Sequence, residues 1–234
     1  MKAPIYAAFD KGQVPNIAIC NLATVPLGVD FGELTLALQS FVDTCVVPVW
    51  GTPCHLLPAK ILIPNTWAIV FLDNADAASA LGYHDLTPDG FPLSKVFVKT
   101  ALQFNEKVSV TASHELVEML VDPAINLCAQ APNGIMYAYE TADACEALSF
   151  PINGIPMSDF VYPSWFEGWR TTKSTQFDYL DKITTPFQLL SGGYANVFSR
   201  GKWRQIFGSQ QKKLLFAKED RRGHRSQYRK KVKV

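Results

Sequence analysis

No run of about 18 apolar residues occurs anywhere in the 234-residue chain, which excludes an α-helical membrane span. The opening MKAPIYAAFDKG lacks the apolar centre of a signal peptide. The expectation is a protein with no membrane partner that is not exported by a signal peptide. CxxC spacing is missing as well. The five cysteines (Cys20, Cys45, Cys54, Cys128, Cys145) are odd in number and suit free or buried thiols in a reducing compartment better than a disulfide framework. A Cys45 to Cys54 bridge stays open under oxidising conditions. There is no Gly-rich run that ends in Lys-Ser or Lys-Thr and opens a helix, so Gly192-Gly193 reads as a turn and not as a phosphate loop. Charged residues are modest at 18% against 48% hydrophobic, an ordinary globular balance that can bury a core.

The charge that is present is unevenly placed. From Lys212 to Val234 ten Lys or Arg stand against two acids, so this tail carries +8 and the remainder −7 within a net +1. Such a block is expected either to bind an acidic partner, nucleic acid or an acidic protein surface, or to stay disordered.

Residues 14–25, VPNIAICNLATV, alternate as a first strand. Asp30 followed by Glu33 resembles a capping box opening a helix whose buried stripe is Phe31, Leu34, Leu38, Phe41, Val42 and Cys45. Pro48, Gly51 and Pro53 close that region, with an extended VVPVWG as the alternative, and CHLLPAKIL reads as a short strand or connector. TWAIVFLDN is apolar without interruption, the pattern of a strand buried on both faces at the centre of a sheet. ADAASALGYHDLTPDGFPLS, rich in Gly, Pro, Asp and Ser, reads as irregular. KVFVKTA then forms an edge strand leading into a helix expected from Asn105 to the residue before Pro123.

That helix carries His114-Glu115-Leu116-Val117-Glu118. Residues i and i+4 share a face one turn apart, so His114 and Glu118 can reach one metal ion, with Glu115 beside it as a general base. The competing reading is an acidic, solvated helix face. Asp122, a further turn along, either orients a ligand or caps the next turn through its side chain. A metal needs another protein ligand, and Tyr137–Glu146 offers carboxylates at spacings of three. Asp143 is the first choice, Glu140 the alternative and Glu146 the third, with Cys145 as a soft ligand. Each of these acids taken singly also reads as a surface charge.

The runs SHELVEMLVDPAIN, YAYETADACE and NGIPMSDFVYPSWF together resemble an uncharacterised zincin-like metallopeptidase family of bacteriophage and prophage genomes. Its pattern matches His114, Glu115, Glu118, Asp122, Glu140 and Asp143, then Ser158, Asp159, Phe160, Val161, Pro163 and Phe166; Ala144 departs from it. The resemblance covers roughly residues 60–200 and takes in Gly82–Asp85. It implies an α+β, zincin-like fold at residues 1–170, with a mixed twisted sheet packed on the active-site helix. A small β-rich appendage or lid at 171–211 and the basic tail at 212–234 would follow. It also offers Met157 a place beneath the metal, against the plainer reading of core packing. His84 borders the presumed edge strand, where it would touch substrate or metal, against the reading of a partly exposed structural histidine.

The function expected is metal-dependent peptide hydrolysis, with Zn²⁺ held by His114, Glu118 and Asp143 and with Glu115 as base. Two carboxylates and one imidazole cancel a divalent charge, so Mn²⁺ or Ca²⁺ also suits the site. The alternative is a structural virion or assembly protein on the same scaffold, with virion subunits as partners. The compartment is then the host cytoplasm or the virion.

Overall fold

The computed structural model describes residues 14–75, 81–170, 174–211 and 213. Its main sheet grows from strands whose alternate side chains face two separate apolar clusters. Ile17 and Ile19 of β1 (Asn16–Asn21) and Trp67, Ile69 and Phe71 of β3 (Trp67–Leu72) enter the large core. Ala18, Cys20, Ala68 and Val70 on the intervening positions form a small cluster on the other face, as the period-two pleat requires. β2 (His55–Ala59), β4 (Gly82–Leu86) and β5 (Pro92–Phe97) complete five strands in the order β2-β1-β3-β5-β4. β3 is central, as its unbroken apolar run predicts. β1, β2, β3 and β5 run parallel, and β4 pairs antiparallel with β5 at the sheet's end.

Two expectations are corrected here. The segment read as irregular contains β4, and that strand, not KVFVKTA, is the edge. β5 stops at Phe97, and the rest of KVFVKTA is helical.

Asp30 caps α1 (Phe31–Phe41) by accepting the Glu33 N–H at 2.9 Å. VVPVWG is not extended: the helix runs on through a widened π turn, Val42–Val46, into α2 (Val47–Trp50). Pro48 has no N–H to give, and a wider turn absorbs the lost i→i−4 bond. Gly51, at φ +69°, ends the helix in the left-handed conformation.

α3 (Val98–Gln103) is followed by Asn105 at φ +57°, so the central helix α4 (Val108–Val121) starts three residues later than expected. All residues of α4 except Val110 are buried. Ser94 of β5 donates its hydroxyl to the Glu115 carbonyl at 3.2 Å, tying the helix to the sheet. On another side, the Ser158 N–H donates to the Ser113 hydroxyl at 2.7 Å. Ser158 belongs to β9 (Ile155–Ser158), which forms a hairpin with β8 (Ser149–Ile152).

A second sheet has the order β11-β10-β7-β6, built from β6 (Cys128–Gln130), β7 (Met136–Ala138), β10 (Tyr194–Ser199) and β11 (Lys202–Phe207). Pairing of β10 with β7 carries this sheet across the boundary expected at residue 171. The β10–β11 turn is Arg200-Gly201, both at positive φ, as a tight hairpin needs. Gly192-Gly193 forms a separate turn, as expected, closed by the Gly193 N–H donating to the Leu190 carbonyl at 2.8 Å. A Cβ on Gly193 would lie 2.1 Å from the Ala144 carbonyl oxygen, so its bareness lets the chain pass against the backbone of residues 143–144. The fold as a whole is mixed α+β, with three sheets among the described residues and few helices. The five cysteines are free, which removes the Cys45 to Cys54 bridge. Apart from Lys213, the basic tail lies outside the described residues.

Candidate metal centre

Burial of α4 on every side overturns the reading of a solvated acidic face. His114, Glu115 and Glu118 are buried within it, and the chain brings three further polar groups to meet them. Asp143 opens a short 3-10 turn, Asp143–Cys145; Glu140 precedes it in the loop after β7; His84 points inward from β4. All three are buried, which corrects the expectation of surface carboxylates and of a partly exposed His84.

The His114 Nε2 lies 3.5 Å from Glu118 Oε1 and 3.3 Å from Asp143 Oδ1. Donor atoms around a tetrahedral cation with bonds of about 2.0–2.2 Å stand about 3.4 Å apart. The three groups fit that spacing and offer the N/O donor set of a divalent metal. A second group, His84, Glu115 and Glu118, also comes within mutual ligand range. Neither group includes Glu146 or Cys145, the latter donating its thiol to the Ala142 carbonyl at 3.7 Å.

Burial and the neighbouring carboxylates together set how tightly these groups hold protons. Burial alone would depress His114, but the Glu118, Asp143 and Glu115 carboxylates reverse that and lift its pKa to about 10. Burial likewise opposes the charge on His84, yet Glu140, Glu115 and Glu118 raise it well above the ordinary value. Glu118 is pushed up to about 8 by burial, with Asp143 and Glu140 adding to the effect against the attraction of His114. Burial and Glu140 move Asp143 up to about 6, while His114 and a hydrogen bond from Tyr194 pull the other way. Carboxylates crowded out of water hold protons until an opposite charge arrives.

The residues that shape the site have separate tasks. The Ala142 N–H donates to Glu118 Oε1 at 3.1 Å, fixing that carboxylate. Asp122 accepts the Asn126 and Leu127 N–H groups, each at 3.0 Å, so it caps the turn after α4. Met157 is fully buried in the main core and sits in β9 opposite Phe150, in a strand and not a turn. Tyr194, from the first residue of β10, reaches Asp143 across 51 positions of sequence; no local pattern marks it.

Gly82 lets β4 approach α4. A Cβ there would stand 2.8 Å from the Lys95 carbonyl oxygen and from Thr111 Cγ2, and 2.9 Å from Glu115 Oε1. Two of these neighbours are backbone or branched side chain and cannot swing aside. Gly82→Ala is expected to lose about 1–3 kcal/mol of stability in a urea melt, the ordinary cost of overpacking. An unchanged midpoint would show that the strand gives way freely.

Asp159 belongs to the supporting structure. Its Oδ1 accepts the Phe160 and Leu180 N–H groups at 2.9 and 3.2 Å. Burial and the facing Asp178 carboxylate push it up to about 8, so the folded chain keeps a proton that the unfolded chain releases near pH 4. This stability is complete below about pH 4 and is lost as pH rises through 8. Asp159→Asn, permanently neutral, should flatten the fall in melting temperature between pH 5 and 8. A variant that melts with the parent's pH slope would remove Asp159 as its source.

No family model matches the chain, and no curated protein or solved structure compared with it matches either.

Proposed function

We propose that the chain is a zincin-like, metal-dependent hydrolase of peptide bonds. The carrying observation is the buried trio His114, Glu118 and Asp143 at metal-ligand spacing. Supporting it, an antiparallel end strand, β4, runs beside the helix that bears the HExxE motif, and its outer edge suits an extended peptide adding to the sheet. Zn²⁺ is the first candidate, and the two carboxylates also admit Mn²⁺ or Ca²⁺. When bound, the cation polarises a carbonyl and acidifies water in contact with it. Glu115 is the adjacent carboxylate able to take the proton. His114, Glu118 and Asp143 hold the charge in place, and the Ala142 N–H and Tyr194 orient the two acids.

One observation favours a second reading. His114, Glu118 and Asp143 are 8%, 3% and 2% exposed, and closed sites are typical of structural metals. In that case the centre is a staple in a virion or assembly protein, with virion subunits as partners. Phage or prophage origin, residence in the host cytoplasm or the virion, and docking of the 212–234 tail on nucleic acid or an acidic protein all belong to the same proposal.

Elemental analysis of the purified full chain tests the centre that both readings share. At least one divalent cation per chain is expected, lost in Glu118→Ala; a parent protein without bound cation, and taking up none when supplied, would sink both.

A further inference from the structure

We propose that the pocket seats two divalent cations with Glu118 as the carboxylate bridge between them. This deepens the reading above and rests on its first seat, His114, Glu118 and Asp143. The two oxygens of Glu118 face different imidazoles. Oε1 lies 3.5 Å from His114 Nε2, and Oε2 lies 3.3 Å from His84 Nδ1. His84 and Glu115 form one ligand group, His114 and Asp143 another, and Glu118 alone is common to both. One cation therefore does not gather all five side chains, whereas two held by a shared carboxylate do, in the manner of centres whose metals stand about 3.5–4 Å apart.

The second seat has its own supports. Glu115 Oε2 is 3.7 Å from His84 Nδ1, completing a set of one imidazole nitrogen and two carboxylate oxygens. The far nitrogen of His84 is buried and meets no hydrogen-bond partner among the described residues. It faces Glu140 Oε2 at 3.7 Å. With Nδ1 as ligand, the ring proton sits on Nε2, where Glu140 is the carboxylate that orients it, the usual arrangement behind a metal-bound histidine.

Charge points the same way. Fully ionised, Glu115, Glu118, Glu140 and Asp143 carry four negative charges in a buried pocket, the charge that two divalent cations balance when both imidazoles serve as neutral ligands. Filling the second seat engages Glu115, so the role of base belongs to the singly loaded chain.

The test is a titration of the chelator-stripped full chain with Mn²⁺, followed by calorimetry and electron paramagnetic resonance. The parent should bind two Mn²⁺ and give an exchange-coupled spectrum at full loading. His84→Ala, shown folded by circular dichroism, should bind one and give the six-line spectrum of isolated Mn²⁺. A parent that binds a single Mn²⁺ overturns the second seat and leaves the first standing, and this measurement needs no variant. Two Mn²⁺ retained by His84→Ala overturn the assignment of the seat, and no binding by the parent overturns both seats.

Discussion

Glu115→Gln is expected to keep the cation at His114, Glu118 and Asp143 while losing peptide hydrolysis by about 10²–10⁴-fold, the usual contribution of a positioned base. The separation follows from the fold. Glu115 is one residue along α4 from His114 and is not part of that trio. The change preserves shape, so the close approach of Gly82 to Glu115 Oε1 is undisturbed. What disappears is the ability to accept a proton. Cleavage of a fluorogenic peptide mixture by the singly loaded chain, together with metal content, reads the two properties independently. Equal hydrolysis by parent and variant would remove Glu115 from the chemistry. A parent that holds its cation and cleaves nothing favours the staple in a virion or assembly protein, and stoichiometric presence in assembled particles would be the corresponding positive result.

Most of what was legible in the sequence was local. The Asp30 cap depends on residues three apart, and the alternation in β1 and the unbroken apolar run of β3 are written within each strand. His114 and Glu118 share a face because helical geometry puts them there. The environment of that face was not legible, since the groups that bury it arrive from β4, β9 and the 140–145 turn. β4 itself escaped notice because Gly82, His84 and Asp85 have poor strand propensity, and pairing with β5 alone makes the strand. His84 was legible only as a residue at the strand border within reach of substrate or metal, because its place among Glu115, Glu118 and Glu140 depends on that pairing. Tyr194 had no signal at all, because its role depends on β10 pairing with β7. Pro48 misled in the other direction: a proline within an apolar run suggests a break, and the chain answers with a π turn.

Cation affinity should rise steeply with pH between about 6 and 10, and the sign comes from which form of each ligand holds metal. His114 keeps its proton up to about 10 and Glu118 up to about 8 in the cation-free chain, because each lies buried among carboxylates. Asp143 gives up its proton at about 6. At pH 7 the cation therefore displaces two protons, one from His114 and one from Glu118. Each displaced proton makes the binding constant change about tenfold per pH unit, so affinity for the first cation should increase on the order of 100-fold from pH 6.5 to 7.5. Above pH 8 Glu118 is already ionised and the rise should slacken to about tenfold per unit. Below 6 all three ligands are protonated and binding weakens faster still. Chelator-competition titrations across this range give the slope. Calorimetry in two buffers of different ionisation enthalpy counts the released protons directly. A pH-independent affinity, or no proton release at pH 7, would mean that His114 and Glu118 are not the groups that receive the metal.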